Sequence, residues 1–452
     1  DAHYNLANAL KQTGDLKKAI ESYRASLAIN PNDSGALLNY GNALKSYGDF
    51  EQAIKIYAQA LKIDPNSAAA QTNMDNAIEE KAEIDKNVAD YARIAKLEIG
   101  SAEIVSFTGT LLKAKGYLDA AIDSYKQAIK IKPDYAEAYF NQSLAFLFKG
   151  DFKNGWTQYD WRWRSSNFNS VPLHSTNPEW EPSRGGRVLL WGEQGLGDQI
   201  MYASLIPDLI SLCTELLVQV DPRLVTLFER SFSGKVTIYP NDKKISERKY
   251  DTHISMGSLP KYLRNNLKSF KNSSDGYLYA DRKRVKLLRD SLLNDGTRFL
   301  CGIAWQGGKE GQIKNKERSI ALSKIATVLK KENVKLVSLQ YGEIGTEIAE
   351  LKESLGIEVA TVADIDNFKD IDGLAALIEA CDVAVSVASS TANLCGALNK
   401  QTAVLLPHIH DWRWKLVSPD CYWYSSVTLF KQGQNGNWDQ SMSELLSFVE
   451  KR

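Results

Sequence analysis

Residues 14–31 read GDLKKAIESYRASLAINP, and residues 48–65 read GDFEQAIKIYAQALKIDP. Both segments carry a Gly-Asp pair, an alanine, a tyrosine and a closing proline, and each of these lies 34 positions after its counterpart. The glycine, alanine, tyrosine and proline return from Gly116, and part of the set returns from Gly150. The interval between keeps only Tyr91 of the set. The first third of the chain is therefore an internal repeat.

The repeated residues are the ones that a pair of packed helices needs. The glycine adopts the left-handed conformation that ends a first helix, and the proline stops the second. A 34-residue period of this kind is typical of the tetratricopeptide repeat. Because one helix pair cannot bury its apolar face alone, stacked pairs form a superhelix with a concave groove. We predict such an α-superhelix over residues 1–166, with about five repeats of which the third is degenerate, and a peptide or protein partner in its groove.

An aromatic segment, GWTQYDWRWR, closes the repeats at residues 155–164. Trp156, Tyr159 and Trp163 have the i, i+3, i+7 spacing of one helical face. Aromatic faces mostly pack against other parts of a protein. We expect this face to dock the repeats on the following domain.

Composition excludes several classes of protein. The 55 basic residues balance the 55 acidic ones, so no overall field favours nucleic acid or an anionic membrane surface. Five cysteines, odd in number and widely spaced, are typical of reduced core thiols rather than of disulfides or a metal site. This favours a cytoplasmic location. No apolar run approaches the roughly 18 residues of a membrane span, so we predict no transmembrane segment.

The sequence pattern changes after residue 166. Prolines and glycines follow, and then short apolar segments alternate with helical ones, which is typical of parallel sheets covered by helices. The predicted strands cover residues 188–191, 216–220, 236–239, 252–255, 299–305, 334–339, 359–362, 383–387 and 403–406. Two consecutive series predict two Rossmann-like, doubly wound parallel sheets over residues 167–297 and 298–452, with a cleft between them.

Ligands of such sheets bind beyond the carboxyl ends of the strands, so the loops there are the candidates. The first loop contains Gly195, Gly197 and Asp198. It lacks the third glycine of a dinucleotide site and the lysine of a P-loop, which excludes a standard dehydrogenase or nucleoside triphosphatase motif. Asp198 is interpreted equally well as a general base or as a helix cap.

Two further loops carry residues suited to a nucleotide. The stretch 306–319 begins at Gln306 and includes Lys316 and Arg318 among glycines, a pattern that can close on a diphosphate, although solvated surface cations are equally common. Gln340 and Tyr341 follow a strand directly and offer an amide and an aromatic ring to a base or ribose.

The fourth loop opens a helix with three hydroxyl residues, Ser389, Ser390 and Thr391, followed by Asn393. The free N–H groups at a helix start, together with hydroxyls, bind anions well. Ordinary capping accounts for one hydroxyl rather than three. We therefore predict a diphosphate site here.

These features together resemble a known group of enzymes, the bacterial tetratricopeptide-repeat glycosyltransferases, whose catalytic half is similar to that of heptosyltransferases. The segments that carry the resemblance are 155–163, 178–180, 193–198, 338–340, 396–398, 411–414, 423–424 and 429–432. The overall plan also looks like that of the O-linked N-acetylglucosamine transferases, whose repeats guide protein acceptors. The resemblance implies the GT-B fold, a metal-independent reaction and an activated sugar held mainly by the C-terminal sheet.

The resemblance also implies roles for particular residues. Asp198 falls on the general base, and Arg318 falls on the basic loop of the donor site. The start of the helix at 389–391 falls on the diphosphate site, and Arg413 is assigned to nucleotide-sugar binding. Two positions depart from the family pattern, because Ala388 and Asn393 stand where such members usually have aspartate and histidine.

The sequence thus predicts an inverting glycosyltransferase, with a nucleotide-diphosphate sugar as donor and no cofactor or metal. The acceptor is a protein or glycan hydroxyl. The alternative is a catalytically silent repeat scaffold or sugar-nucleotide-binding module, which the two departures favour. A nucleotide-sugar epimerase would leave the long repeat array unexplained.

Overall fold

A computed structural model describes residues 2–232, 234, 236–273, 276–293, 299–308, 318–415, 420–433 and 436–451. The chain forms two compact units. The first contains residues 1–149 and 157–167, and the second contains residues 150–156 and 168–452.

The first unit is built from helices joined by short turns. They are α1 (Ala2–Gln12), α2 (Leu16–Ile29), α3 (Ser34–Tyr47), α4 (Phe50–Ile63), α5 (Ala68–Ala95), α6 (Ala102–Ala114), α7 (Leu118–Ile131) and α8 (Ala136–Lys149). Gly48 ends α3 in the left-handed conformation, with φ 98°, as the repeat pattern predicts. Ala53 is fully buried, and α4 ends just before Pro65.

In the second and fourth repeats, the tyrosine is held by a glycine and a polar residue of the preceding helix. The ring of Tyr57 lies on Gly41, where an added Cβ would come within 2.4 Å of it. The Tyr57 hydroxyl donates to Asn42 Oδ1 at 2.8 Å. Tyr125 lies on Gly109 in the same way. These glycines are thus needed for close helix packing, a role that the sequence analysis missed.

The third repeat forms one long helix instead of a pair. Helix α5 runs for 28 residues, from Ala68 to Ala95. Ala82 stands where the other repeats have Gly14, Gly48, Gly116 and Gly150, so no glycine interrupts the helix. Tyr91 is 36% exposed, whereas Tyr57 is fully buried.

The fourth repeat packs directly on the first two. The rings of Phe50 and Tyr117 meet edge to face, with centroids 4.9 Å apart. Asp123 of α7 accepts hydrogen bonds from the Tyr47 hydroxyl and from Lys17. One buried cluster therefore runs from the first repeat to the last.

The predicted aromatic face is wrong in its geometry. Helix α9 spans Phe152–Tyr159, and the next residues, Asp160–Arg164, form a 3₁₀ turn. The α-helical i, i+3, i+7 spacing therefore does not extend to Trp163. Trp156 packs within the second unit, where its indole N–H donates to Arg264 O at 2.9 Å.

The second unit contains two parallel sheets. The first has the order β3-β2-β1-β4, with β1 (Arg187–Trp191), β2 (Glu215–Val220), β3 (Val236–Pro240) and β4 (Thr252–Ser255). Its helices are α10 (Leu196–Tyr202), α11 (Ile206–Ile210), α12 (Val225–Ser231), α13 (Pro260–Leu263) and α14 (Arg282–Leu292). The segment around Trp180 extends the β4 edge, since its N–H donates to His253 O at 2.8 Å.

The second sheet has six strands in the order β10-β9-β8-β5-β6-β7. They are β5 (Phe299–Ala304), β6 (Val334–Ser338), β7 (Val359–Ala360), β8 (Val383–Val387), β9 (Thr402–Leu406) and β10 (Val427–Lys431). Its helices are α15 (Leu322–Leu329), α16 (Gly345–Leu355), α17 (Ile371–Ala380), α18 (Ser390–Ala397) and α19 (Asp439–Glu450). Every residue of β8 and β9 is buried, as helices on both faces require.

The predicted fold class is confirmed: helical repeats are followed by two doubly wound parallel sheets, the arrangement of the GT-B fold. The nine predicted strands are present, with ends that shift by up to two residues. The analysis missed β10, a five-residue edge strand that pairs with β9. In the described part of the chain, no helix has the length and apolar character that a bilayer crossing needs.

Candidate active site

The cleft lies at the carboxyl ends of both sheets. In each sheet the strand order reverses at one place, between β1 and β4 in the first and between β5 and β8 in the second. Loops diverge at such a place and leave a crevice where ligands bind. Residues of both sheets line one cleft of about 1130 Å³.

Most of the predicted site residues line this cleft. They are Gly195, Gly197, Asp198, Gln306, Arg318, Gln340, Tyr341, Ser389, Ser390, Asn393 and Arg413. Thr391 is buried and is not among the lining residues. Lys316 lies outside the described residues, so its assignment stays a prediction.

Asp198 belongs to the first turn of α10. Its Oδ2 accepts a hydrogen bond from the backbone N–H of Gly195, which precedes the helix, at 3.3 Å. The carboxylate therefore satisfies a helix-start donor, one of the two interpretations open from the sequence. It also lines the cleft with 18% of its side chain exposed, so the other interpretation stays open.

Arg413, in the loop after β9, holds the other oxygen of this carboxylate. Its Nε and Nη2 donate to Asp198 Oδ1 at 2.7 and 2.5 Å. Nη1 donates to Asp411 Oδ1 at 2.7 Å, and Nη2 also donates to Gln194 Oε1 at 3.1 Å. One guanidinium thus joins the α10 loop to the second sheet.

Asp411 lies between two arginines. Arg413 donates to its Oδ1, and Arg318 Nη2 lies 3.8 Å from its Oδ2. Burial raises the pKa of Asp411, but the charges of Arg413 and Arg318 and the hydrogen bonds from Arg413 together outweigh it, so the net pKa lies below its ordinary value. Arg318 has the looser ion pair and the more exposed side chain, at 42% against 19% for Arg413.

Helix α18 begins at the switch point of the second sheet. The Ser389 hydroxyl caps it and accepts from Ala392 N–H at 3.3 Å. The Ser390 hydroxyl has no hydrogen bond within the described residues and lines the cleft. Thr391 Oγ1 is buried and has no partner there either. Capping therefore accounts for one of the three hydroxyls.

The side chain of Asn393 is held by hydrogen bonds with two other residues of the protein. Its Oδ1 accepts from the Tyr424 hydroxyl at 2.9 Å, and its Nδ2 donates to Ser389 O at 3.1 Å. Burial raises the pKa of Tyr424 well above its ordinary value, so the hydroxyl keeps its proton and remains the donor. An added Cβ on Gly197 would lie 3.0 Å from Asn393 Nδ2 and 3.3 Å from Ser390 Cα. Gly197 thus allows α10 and α18 to meet.

The loops after β5 and β6 are tied by one amide. Gln340 Oε1 accepts from the backbone N–H groups of Trp305 and Gln306 at 2.9 and 2.8 Å. The Tyr341 hydroxyl donates to Gly308 O at 2.9 Å. Gln340 thereby positions the loops, while the ring of Tyr341 is left to line the cleft.

The sequence analysis missed several residues of the cleft. Gln194 has a φ of 61°, which is unusual for a residue other than glycine, and its N–H donates to Ser170 Oγ at 2.8 Å. Phe368 lines the cleft near Tyr341, with ring centroids 6.0 Å apart, and its carbonyl accepts from Arg223. An αL residue in a loop after a strand leaves no mark in the sequence unless it is glycine.

The Asp364-Ile365-Asp366 segment has the letters of a metal motif. Asp366 accepts hydrogen bonds from the backbone N–H groups of Phe368 and Lys369, so it shapes a turn. No three His, Cys, Asp or Glu side chains cluster as metal ligands would within the described ranges. Metal independence stays a prediction.

Comparison with known proteins bears mainly on the repeats. A family model described as "Tetratricopeptide repeat" matches residues 10–74, and one described as "TPR repeat" matches residues 109–150. The repeats predicted from the 34-residue spacing are therefore confirmed. Most of the long helix α5 lies in the unmatched interval between the two matches.

A curated relative, Protein FlbA of Caulobacter vibrioides, is 28% identical over 334 residues. The match covers 69% of this chain and 54% of the relative, so the chain spans about half of that protein's length.

Two solved structures are each similar to this chain over 59% of its length. One is described as glycosyl transferase family 9 from Veillonella parvula, at 11% identity and a TM-score of 0.44, over 59% of this chain and 97% of that one. The other is the E. coli ADP-heptose lps heptosyltransferase II, at 13% identity and a TM-score of 0.41, over 59% of this chain and 99% of that one.

Proposed function

We propose that this chain is an inverting, metal-independent glycosyltransferase that moves a sugar from a nucleotide-diphosphate sugar to a hydroxyl of a protein or glycan. One observation supports the proposal. The cleft is lined on the side of the first sheet by the carboxylate of Asp198. On the side of the second sheet it is lined by Arg318 and by Ser390, which begins a helix with no acidic residue in its first turn.

The second sheet is suited to the leaving diphosphate. Free N–H groups at the start of α18 and the guanidinium of Arg318 both favour oxygen anions. The loops after β5 and β8 approach closely here, since an added Cβ on Gly307 would lie 3.0 Å from Ala388 O. Tyr341 and Phe368 supply aromatic faces for the base.

The proposed reaction is a single displacement. Asp198 takes the proton of the acceptor hydroxyl, whose oxygen then forms a bond to the anomeric carbon. The bond from that carbon to the phosphate oxygen breaks, and its electron pair goes to the leaving diphosphate. Arg318 and the α18 start stabilise this charge as it develops.

The test is turnover of donor by the Asp198→Asn variant. Candidate nucleotide sugars are first screened through binding of the corresponding nucleoside diphosphates, followed by release of sugar to water in the absence of an acceptor. We expect Asp198→Asn to lower turnover by about 10² to 10⁴, the usual contribution of a general base.

Asp251→Asn is the matched control. Asp251 also pairs with an arginine, Arg187, at 2.6 Å, but it lies at the opposite, amino end of the same sheet. We expect turnover by this variant to equal that of the native protein. Equal turnover in native protein and Asp198→Asn would contradict the assignment of the base.

A second candidate function is that of a catalytically silent sugar-nucleotide-binding module. The fixed side chain of Asn393 favours it, because an amide engaged by Tyr424 and Ser389 replaces a group that could carry charge. Binding of a nucleotide sugar without any release of its sugar would select this function over transfer.

The repeats are proposed to hold the acceptor or a partner protein. Tetratricopeptide arrays present extended surfaces suited to peptides. Deleting residues 1–149 would test this: we expect hydrolysis of donor to persist and transfer to a protein acceptor to be lost.

A further inference from the structure

Within the described residues, the guanidinium of Arg413 donates hydrogen bonds to three side chains. It donates twice to Asp198 Oδ1, once to Asp411 and once to Gln194. A carboxylate oxygen accepts about two hydrogen bonds, so Asp198 Oδ1 is fully used by Arg413. With Oδ2 turned to the Gly195 N–H, the carboxylate has little capacity left for an acceptor hydroxyl.

The loop around this ion pair is held in a strained conformation. Gln194 has φ 61°, a left-handed conformation that is unfavourable for a residue other than glycine. Its side-chain amide oxygen accepts a hydrogen bond from Arg413, and its backbone N–H donates to Ser170 Oγ. Strain of this kind persists where the surroundings impose it and is concentrated at functional sites.

Arg413 also lies close to Arg318, the residue proposed to bind the diphosphate. Asp411 bridges Arg413 and Arg318, with distances of 2.7 and 3.8 Å to its two oxygens. An anion that binds Arg318 therefore arrives next to Arg413. A diphosphate carries more charge than one carboxylate and accepts bidentate hydrogen bonds from a guanidinium.

We propose that Arg413 is a positioning residue that pairs with Asp198 before the donor binds and with the donor diphosphate afterwards, which releases Asp198 for the acceptor. The inference rests on the proposed function. It makes binding ordered, because the base becomes available only after the donor is in place. The coupling is reciprocal: removing the Asp198 carboxylate, which competes for Arg413, strengthens diphosphate binding, and bound diphosphate weakens the Asp198–Arg413 pair.

The experiment is a double-mutant cycle on anion affinity. Binding of ADP, UDP, GDP and inorganic pyrophosphate is measured by calorimetry for the native protein, Asp198→Asn, Arg413→Gln and the double variant. We expect Asp198→Asn to tighten diphosphate binding at least about fivefold, since Arg413 is no longer held. Arg413→Gln should weaken it, and the double variant should show no gain over Arg413→Gln alone.

Two results would overturn the inference. Unchanged or weaker binding by Asp198→Asn means that the ion pair does not compete with the diphosphate. A gain that persists in the Arg413→Gln background means that Asp198 acts by simple repulsion. In both cases the proposed function is unaffected, because donor turnover tests it and not the competition for Arg413. If none of the four probes binds the native protein, both proposals are overturned.

Two further variants help to distinguish a change in diphosphate affinity from a loss of folded protein. Arg413→Lys keeps the charge but not the fork, so the gain from Asp198→Asn should be smaller than with arginine and still present. Asp251→Asn removes the carboxylate of a comparable ion pair and should leave affinity unchanged. Melting temperatures of all variants are recorded alongside.

Discussion

Two helices begin at the cleft, and they begin differently. Helix α10 follows β1, has Gly195 before it and carries Asp198 in its first turn. Helix α18 follows β8, is capped by the Ser389 hydroxyl and has no acid in its first turn. A helix start favours negative charge. The first helix therefore has an anion built into its sequence, whereas the second leaves that place open to a ligand.

The largest effect is expected from giving α18 an acid of its own. In Ser390→Asp a carboxylate would occupy the helix start and repel the diphosphate, at about 4 kcal/mol for charges about 4 Å apart near a protein surface. We expect calorimetry to show at least about a hundredfold loss of nucleoside diphosphate affinity.

Ser390→Ala is the control for this change, because it removes a hydroxyl without adding charge, and it should weaken binding only a few-fold. An acid in the first turn does not harm the helix itself, so melting temperature should not fall. Native affinity in Ser390→Asp would place the diphosphate elsewhere.

The second-largest effect is expected from a substitution at the contact between α10 and α18. Gly197→Val would put side-chain atoms against Asn393 and the backbone of Ser390, closer than 3.4 Å. Overpacking of this kind costs about 1–3 kcal/mol, and here it would also separate the two walls of the cleft. We expect turnover to fall at least about tenfold in a donor-hydrolysis assay.

Gly195 provides the matched position on the same loop. An added Cβ there would have Asp198 Oδ2 as its nearest neighbour, at an ordinary 3.6 Å, and its φ of −86° suits any residue. Gly195→Ala should therefore keep most of the turnover. Equal losses in both variants would mean that the contact between helices is not the cause.

The contrast also shows how far the sequence can be interpreted. Buried parallel strands such as β8 are continuous apolar segments, which can be recognised in the sequence. The repeats have a regular 34-residue spacing. Both parts of the architecture were therefore predictable. The same period showed that the third repeat is unusual, and Ala82 in place of glycine explains why it became one helix.

The pairing inside the cleft was not predictable in this way. Asp198 and Arg413 are 215 positions apart, and no local pattern indicates that they meet. The sequence predicts that both residues belong to the site, Asp198 as a general base or a helix cap and Arg413 as a residue that binds the nucleotide sugar. It does not predict that they pair with each other. Which side chain holds which depends on the relative placement of two sheets, and spacing within one loop carries no information about that.

A smaller effect is expected from the residue that fixes Asn393. Tyr424→Phe removes the hydroxyl that donates to Asn393 Oδ1 and leaves a buried oxygen without its partner. An unsatisfied buried acceptor costs about 1–3 kcal/mol. Tyr422→Phe is the control, because its hydroxyl makes no hydrogen bond within the described part of the chain and its side chain is partly exposed. Thermal denaturation followed by circular dichroism should separate the two, and equal melting temperatures would contradict this role of Tyr424.

The smallest effect concerns the cap of α18. Ser389→Ala removes the oxygen that accepts from Ala392 N–H, which typically costs about 1 kcal/mol. Ser389→Asn can restore the cap, because an amide oxygen accepts the same hydrogen bond. If Ser389 acts as a cap and not as a diphosphate ligand, the alanine variant should unfold at lower denaturant concentration and still bind nucleoside diphosphate within about twofold of native affinity, since the α18 N–H groups remain. A large loss of affinity that asparagine does not rescue would instead make Ser389 a direct ligand. In that case the two helix starts differ by a binding hydroxyl as well as by the absence of an acid.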